Sequence, residues 1–281
     1  MNILTFDLED WFHILDFEET ARPAQWSNFE SRIEQNTDRI LQLLEKHNLT
    51  ATFFCLGWIA EKYPSLIKKV SAKHELACHS MDHQLLYLQN KEQFKDDLKR
   101  NVSVLENLSG KKINAYRAPG FSISREHGYV FEELNRLGIN IDCSVFPAAR
   151  NHGGISDFPV QRPCTLAGID FEVTEFPINT RSFLSKQIVF SGGGYFRMLP
   201  YPLIHKWMKQ SDYVMTYFHP RDFDPGQPRL DNLSMKRKFM SYVGLSSSHD
   251  KLERLLSDFK FMSLGQAYES LDLKSLPKVK L

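Results

Sequence analysis

MNILTFDLED, residues 1–10, joins an apolar run of Ile3, Leu4 and Phe6 to three carboxylates, Asp7, Glu9 and Asp10. The apolar part reads as a buried strand. Acids at its end repel one another, and desolvating them is costly unless a cation compensates. By the period-two alternation of a strand, Asp7 and Glu9 point to the same side, and Asp10 reaches that side only if the chain turns. A solvated loop start explains Glu9 or Asp10 easily but Asp7 poorly. A bound metal ion explains the group: one acid binds the ion, and a second is a base poised by its charge.

Outward from this stretch the sequence alternates strand and helix. Strand-like runs are expected at 2–7, 50–55, 74–78, 113–116, 139–143, 213–218 and 259–262. Amphipathic helices are expected at 32–47, 60–73, 91–108, 125–137, 202–210 and 249–257, the first with Ile33, Thr37, Ile40, Leu41 and Leu44 on one face. Repeated βα units imply a parallel sheet covered by helices, and about seven of them imply an α/β barrel. The segment 147–200, rich in Gly and Pro with a strand-like run at 169–176, is expected as a β-rich insertion near the barrel mouth. The segment 221–248 is read as a long polar loop. Its Lys236-Arg237-Lys238 cluster is either a solvated loop, the favoured reading, or a handle for an anionic substrate.

The chain has 281 residues, 42% of them hydrophobic and 25% charged, with a net charge of +1. This suits one domain spanning 1–281 and argues against non-specific binding to nucleic acid or anionic membrane. No apolar run reaches the roughly 20 residues of a membrane span. The four cysteines form no CxxC pair and read as free thiols. With no basic region preceding an apolar stretch, the expected location is cytoplasmic.

Four further strand ends carry polar groups able to do chemistry. His79 and His83 of HSMDH are spaced i, i+4, which one helical turn would place on one face, a metal-ligand spacing for imidazoles. Taken alone the pair also fits two surface histidines. Arg117 of RAPG either orients a carboxylate base through a bidentate pair or is a surface arginine before a turn. Asp142 and Ser144 of DCSVFP fit a helix cap or turn as well as a site. His219 of MTYFHP closes an apolar strand, where a lone histidine is usually structural. Five such strand ends on one rim match where parallel barrels place active sites.

These motifs together resemble the polysaccharide deacetylases, the NodB-homology enzymes of carbohydrate esterase family 4. FDLED, HSMDH, RAPG, DCSVFP and YFHP each match a family motif, in the family's order from Asp7 to His219. The FDVED-like opening, GGGYFRMLPY and FHPRDFDP further resemble a subgroup associated with bacterial exopolysaccharide and surface-glycan synthesis. The resemblance implies a distorted (β/α)7 barrel and a metal-dependent hydrolase that removes an N-acetyl group from an amino sugar of a surface polysaccharide or its precursor. It implies Asp7 as base, Arg117 as its brace and His219 as general acid. It implies a divalent ion on His79, His83 and either Glu9 or Asp10, with zinc expected and cobalt, nickel, iron or manganese as alternatives. The backbone N–H of Gly120 would stabilise the oxyanion, and Asp142, Ser144 and Pro147 would wall the acetyl pocket. Leu8 separates acids that are usually adjacent in the family, so both ligand candidates stay open. Alternatives are a deformylase or other C–N amide hydrolase on the same scaffold, and a catalytically silent glycan-binding homologue.

Overall fold

The N-terminal apolar run forms two short strands, β1 (Asn2–Ile3) and β2 (Thr5–Leu8), with Leu4 between them. Every residue of β2 is buried, as expected of a parallel strand covered on both faces. The coordinates are a computed structural model that describes residues 1–15, 22–150, 152–169, 171–183, 186–230 and 233–280.

Helix α1 (Ile33–Lys46) leads to β3 (Thr52–Cys55), then α2 (Gly57–Lys62) and α3 (Pro64–Lys73). The helix expected over 60–73 is thus two helices. Pro64 lacks the N–H to continue α2 and instead opens α3 at its first position. Then come β4 (Glu75–Cys78), α4 (Lys91–Ser109), β5 (Ala115–Tyr116), α5 (Gly128–Arg136) and β6 (Ile141–Asp142). The chain continues with β7 (Cys164–Ala167), β8 (Glu172–Glu175), β9 (Arg181–Phe183), β10 (Lys186–Ile188), α6 (Gly193–Met198), α7 (Tyr201–Lys209) and β11 (Val214–Met215). It ends in α8 (Met235–Tyr242), α9 (Leu245–Asp258), α10 (Leu264–Glu269) and β12 (Lys278–Val279).

Among the described residues, eight strands form one sheet in the order β12-β7-β8-β6-β5-β4-β3-β2, parallel throughout except for β7 against β8. The wall continues past β2 through parallel pairing of β1 with β11 and a parallel bridge from Phe6 to Phe218. This is the distorted (β/α)7-type barrel expected. The expected strand at 259–262 reduces to a single bridge between Ile3 and Met262. The segment 147–200 is β-rich, but β7 and β8 lie within the main sheet beside β6, so it builds the wall as well as decorating it. The 221–248 segment, read as a loop, contains α8 and the start of α9.

The register aligns one row across the wall: Leu8 beside Cys55, then Cys78, Tyr116, Asp142 and Glu175. The residues that follow this row therefore leave the sheet together at the strands' C-terminal ends. Glu9, His79 and Arg117 are among them, and His219 follows Phe218 at the same rim. All four cysteines are free and buried.

The row ends in a pair of acids, Asp142, a candidate from sequence, and Glu175, which sequence reading missed. Asp142 and Glu175 are fully buried. Burial pushes both carboxyls up, and Asp142 at hydrogen-bond range drives Glu175 well above the usual carboxylate range. Both causes favour the neutral form of Glu175, and its Oε1 accepts the Val145 N–H at 3.1 Å. Glu175→Gln keeps a neutral donor and acceptor of the same shape, so it should cost less than about 1 kcal/mol. Glu175→Ala should cost about 3 kcal/mol, because it leaves a cavity and orphans the Val145 N–H. Urea denaturation of both variants tests this; equal losses would show that Glu175 is held as a charge.

Candidate active site

Glu9 follows β2 directly and is buried, with Oε1 at 3.0 Å from both His79 Nε2 and His83 Nε2. Two facts about the imidazoles suit a metal. His79 Nδ1 donates to the Arg117 carbonyl at 2.7 Å, which leaves the Nε2 lone pair facing Glu9. His83 Nε2 is buried with no hydrogen-bond partner among the described residues. A carboxylate oxygen within 3.0 Å of two imidazole lone pairs needs a proton or a cation among them. Glu9 is ionised: burial pushes its pKa up, but His83, His219 and His79 outweigh this and hold it well below the usual range. Two imidazoles and one carboxylate form a donor set that fits a divalent ion with open positions.

Asp10 is not part of this cluster, a correction to the open choice between the two acids. Its Oδ2 accepts from the N–H of Arg32 at 2.9 Å, the N–H of Ile33 at 3.2 Å and the Ser31 hydroxyl at 2.6 Å. Asp10 thus supplies the acceptor that the N-terminus of α1 lacks, since Arg32 makes no side-chain cap. The turn that carries it there is closed by His13, whose Nδ1 accepts the Asp10 N–H at 2.9 Å. His13 was not singled out from sequence. It packs among Trp26, Trp58 and Phe12.

The i, i+4 spacing of His79 and His83 does not come from a helical turn. Residues 79–83 form no helical turn; Ser80 and His83 have φ of 72° and 53°, so a left-handed loop brings His83 back to His79. Side chains of α4 hold that loop. Asp97 accepts the Met81 N–H and the Ser80 hydroxyl, and Asn101 Nδ2 donates to the Cys55 and Ser80 carbonyls. Helix α2 adds N–H bonds from Gly57 and Trp58 to the carbonyls of Ser80 and Met81.

Asp7 is buried and is paired through Oδ1 to Arg117 Nη1 at 2.5 Å. Arg117 is wholly buried, with its guanidinium 4.0 Å from the Phe54 ring centre. The other oxygen of Asp7 lies 3.8 Å from His219 Nε2. His219 Nδ1 is 2.9 Å from Asp222 Oδ2, and Asp222 in turn pairs with Arg197 at 3.1 Å. Burial pushes the His219 pKa down, but Asp222, Glu9 and Asp7 outweigh it and raise it to about 9. Asp222 itself falls to about 2, because His219 and Arg197 outweigh its burial. Asp222 and Arg197 were missed as site residues, although they lie within stretches quoted for the resemblance.

The raised His219 pKa has a consequence for the metal-free protein. The ordinary histidine pKa is about 6.5 in the unfolded chain. The stability contributed is therefore fully present below about pH 6.5 and is lost as pH rises through about 9. Denaturation of metal-free protein at pH 6 and pH 9.5 should show that loss, and His219→Gln should flatten it. An unchanged slope in the variant would refute the assignment.

Asp142, Ser144 and Pro147 do not wall the cavity beside these groups. All three are buried. Asp142 accepts the Ser144 N–H and hydroxyl, and Ser144 Oγ accepts the Ala118 N–H at 2.8 Å. They brace the Arg117 loop from below, because the sheet register buries Asp142 within the barrel. Gly120 does line the cavity; its φ is +61°, and an added Cβ would lie 2.6 Å from Leu15 Cδ1. The cavity, about 280 Å³, opens onto Asp7, Glu9, His83 and His219. Gly193, Gly194 and Tyr195 form part of its wall, so the glycine-rich segment noted in the sequence reaches the site.

Residues 18–140 match the family described as polysaccharide deacetylase, and residues 143–269 match a domain of unknown function (DUF3473). The chain is 34% identical over 103 residues to a peptidoglycan-N-acetylmuramic acid deacetylase of Bacillus subtilis, covering 36% of this chain and 38% of that protein. It is 32% identical over 84 residues to a peptidoglycan-N-acetylglucosamine deacetylase of Bacillus cereus, covering 30% of each. The chain thus spans about a third of the length of these curated relatives. A provisionally assigned polysaccharide deacetylase of Mycobacterium smegmatis has a similar fold, with TM-score 0.67 at 20% identity over all of this chain and 92% of that one. So does a carbohydrate esterase family 4 pseudoenzyme of Bacillus anthracis, with TM-score 0.54 at 13% identity, covering 100% of this chain and 69% of that one. The polysaccharide deacetylase model thus matches residues 18–140, and the chain follows the fold of the Mycobacterium smegmatis structure over its whole length.

Proposed function

We propose that this protein hydrolyses the N-acetyl group of an amino sugar in a polysaccharide or its precursor, with a divalent ion held by Glu9, His79 and His83. The supporting observation is convergence: the Asp7–Arg117 pair, the His219–Asp222 pair and the Glu9–His79–His83 group meet at one cavity. A bound ion supplies Lewis-acid polarisation and acidifies water.

The chain's own residues divide the proton work. Asp7 has one oxygen held by Arg117 and the other turned towards His219, so it is placed to receive the proton of the attacking water. His219 sits between Asp222 and Asp7, whose negative charges favour its protonated form, and gives a proton to the leaving amine. The N–H of Gly120, which lines the same cavity, is the proposed donor to the developing oxyanion.

The fold does not itself guarantee activity, since a similar structure belongs to a pseudoenzyme. Retention of Asp7, Glu9, His79, His83, Arg117 and His219 in one geometry is what favours a working enzyme over a silent glycan binder. The test is acetate release from N-acetylated chito-oligosaccharides by metal-loaded protein, with and without chelator, beside formate release from N-formylated analogues. Chelator-sensitive acetate release supports the reading. Formate release alone favours the deformylase alternative, and neither product from any substrate refutes hydrolysis.

A further inference from the structure

The charges around the cavity are not matched. Its acids are all engaged: Asp7 by Arg117, Glu9 by the two histidines, and Asp222 by His219 and Arg197. Arg197 is likewise spent, on Asp222 and on the carbonyls of Met240 and Ser241. Three other arginines line the same cavity: Arg237 donates to the Leu15 carbonyl at 3.0 Å, and no carboxylate lies within ion-pair distance of Arg150 or Arg221 among the described residues.

Arg221 stands two residues beyond His219, in the turn Pro220–Phe223, and is half-buried. Among the described residues its side chain makes one hydrogen bond, a long one, from Nη1 to the Trp11 carbonyl at 3.3 Å. Arg150 lies across the opening with its guanidinium 4.3 Å from the Phe146 ring centre and 5.5 Å from that of Phe121. Stacking occupies the face of that guanidinium and leaves the N–H edge for an in-plane partner. A partly desolvated cavity with two such arginines favours a ligand that brings negative charge, received through charge-assisted hydrogen bonds.

We infer that the sugar taken by this pocket carries an acidic group, a carboxylate or a phosphate, next to its acetamide, held by Arg221 and Arg150. This rests on the deacetylase reading for the acetamide but not for the anion. It locates the anion handle at these two arginines; of the Lys236-Arg237-Lys238 cluster, for which a solvated loop was the favoured reading and an anion handle the alternative, Arg237 also lines the cavity.

Calorimetric titration of the metal-loaded full chain tests it with three probes: N-acetylglucosamine, N-acetylmuramic acid and N-acetylglucosamine 1-phosphate. The two acids carry a lactyl carboxylate on C3 or a phosphate on C1, the ring carbons that flank the acetamide-bearing C2, so their comparison tells which source of charge is used. At least one should bind about tenfold more tightly than the neutral sugar, the gain expected from charge-assisted contacts. Arg221→Gln and Arg150→Gln should each shrink that ratio severalfold. Arg150 is exposed, so its variant reads out even if the Arg221 variant folds poorly. Equal affinity for all three sugars, or an acid preference that survives both substitutions, overturns the inference. Acid preference without acetate release from any sugar would leave the anion site standing and refute the deacetylase reading. Acetate release with no acid preference does the reverse.

Discussion

Asp7→Asn should lower acetate release about a thousandfold, in the range expected for loss of a general base. Its metal content should stay unchanged. Asparagine keeps the shape and can still accept from Arg117, but it cannot take a proton from water. The same change leaves the wholly buried Arg117 without its ion pair, so a loss of about 3 kcal/mol in stability should accompany it. The two effects separate if activity is measured well below the variant's melting temperature. Acetate release near the wild-type rate would remove Asp7 from the proton path. A variant that lost its metal would place Asp7 among the ligands instead.

The second large effect distinguishes two acids that are neighbours in sequence. Glu9→Ala should weaken divalent-metal binding at least about a hundredfold, since even groups that merely support metal ligands are worth ten- to a hundredfold. Asp10→Ala should retain the metal and lose about 1–2 kcal/mol of stability, the cost of a missing helix-cap acceptor. Elemental analysis after dialysis, paired with thermal melts, reads both. The assignment fails if the pattern reverses, with Asp10→Ala metal-free and Glu9→Ala metal-replete.

Much of this site was legible because its chemistry is written in residue types that strands tolerate poorly. Asp7 inside an apolar run and His79 and His219 at strand ends had no comfortable structural explanation, and the barrel register brings them to one rim. Asp142 and Ser144 show the opposite case. Their motif position suggested the pocket wall, yet the pairing of Tyr116 with Asp142 buries them beneath the Arg117 loop. Glu175 left no signal, because an acid in a strand-like run reads as a solvent-facing position until its neighbour in the sheet is known. Arg150 and Arg221 carry no motif that would single them out, and only the cavity they share makes their lack of a carboxylate partner matter.

The HSMDH spacing shows how a correct expectation can rest on the wrong geometry. Spacing i, i+4 is compatible with a helix, but the loop here is left-handed at two residues and is tied down by Asp97 and Asn101, about twenty residues downstream. Periodicity reports local conformation, and this loop is stabilised by non-local hydrogen bonds.

The sequence by itself determined the barrel class, the rim on which the polar residues gather and the set of groups able to do chemistry, because burial pattern and residue type are local properties. Only the tertiary structure decided which acid meets the histidines. Glu9 and Asp10 are equivalent as carboxylates. They are separated by what each finds seventy or twenty-odd residues away: two buried imidazoles for Glu9, and the unsatisfied N–H groups of a helix for Asp10.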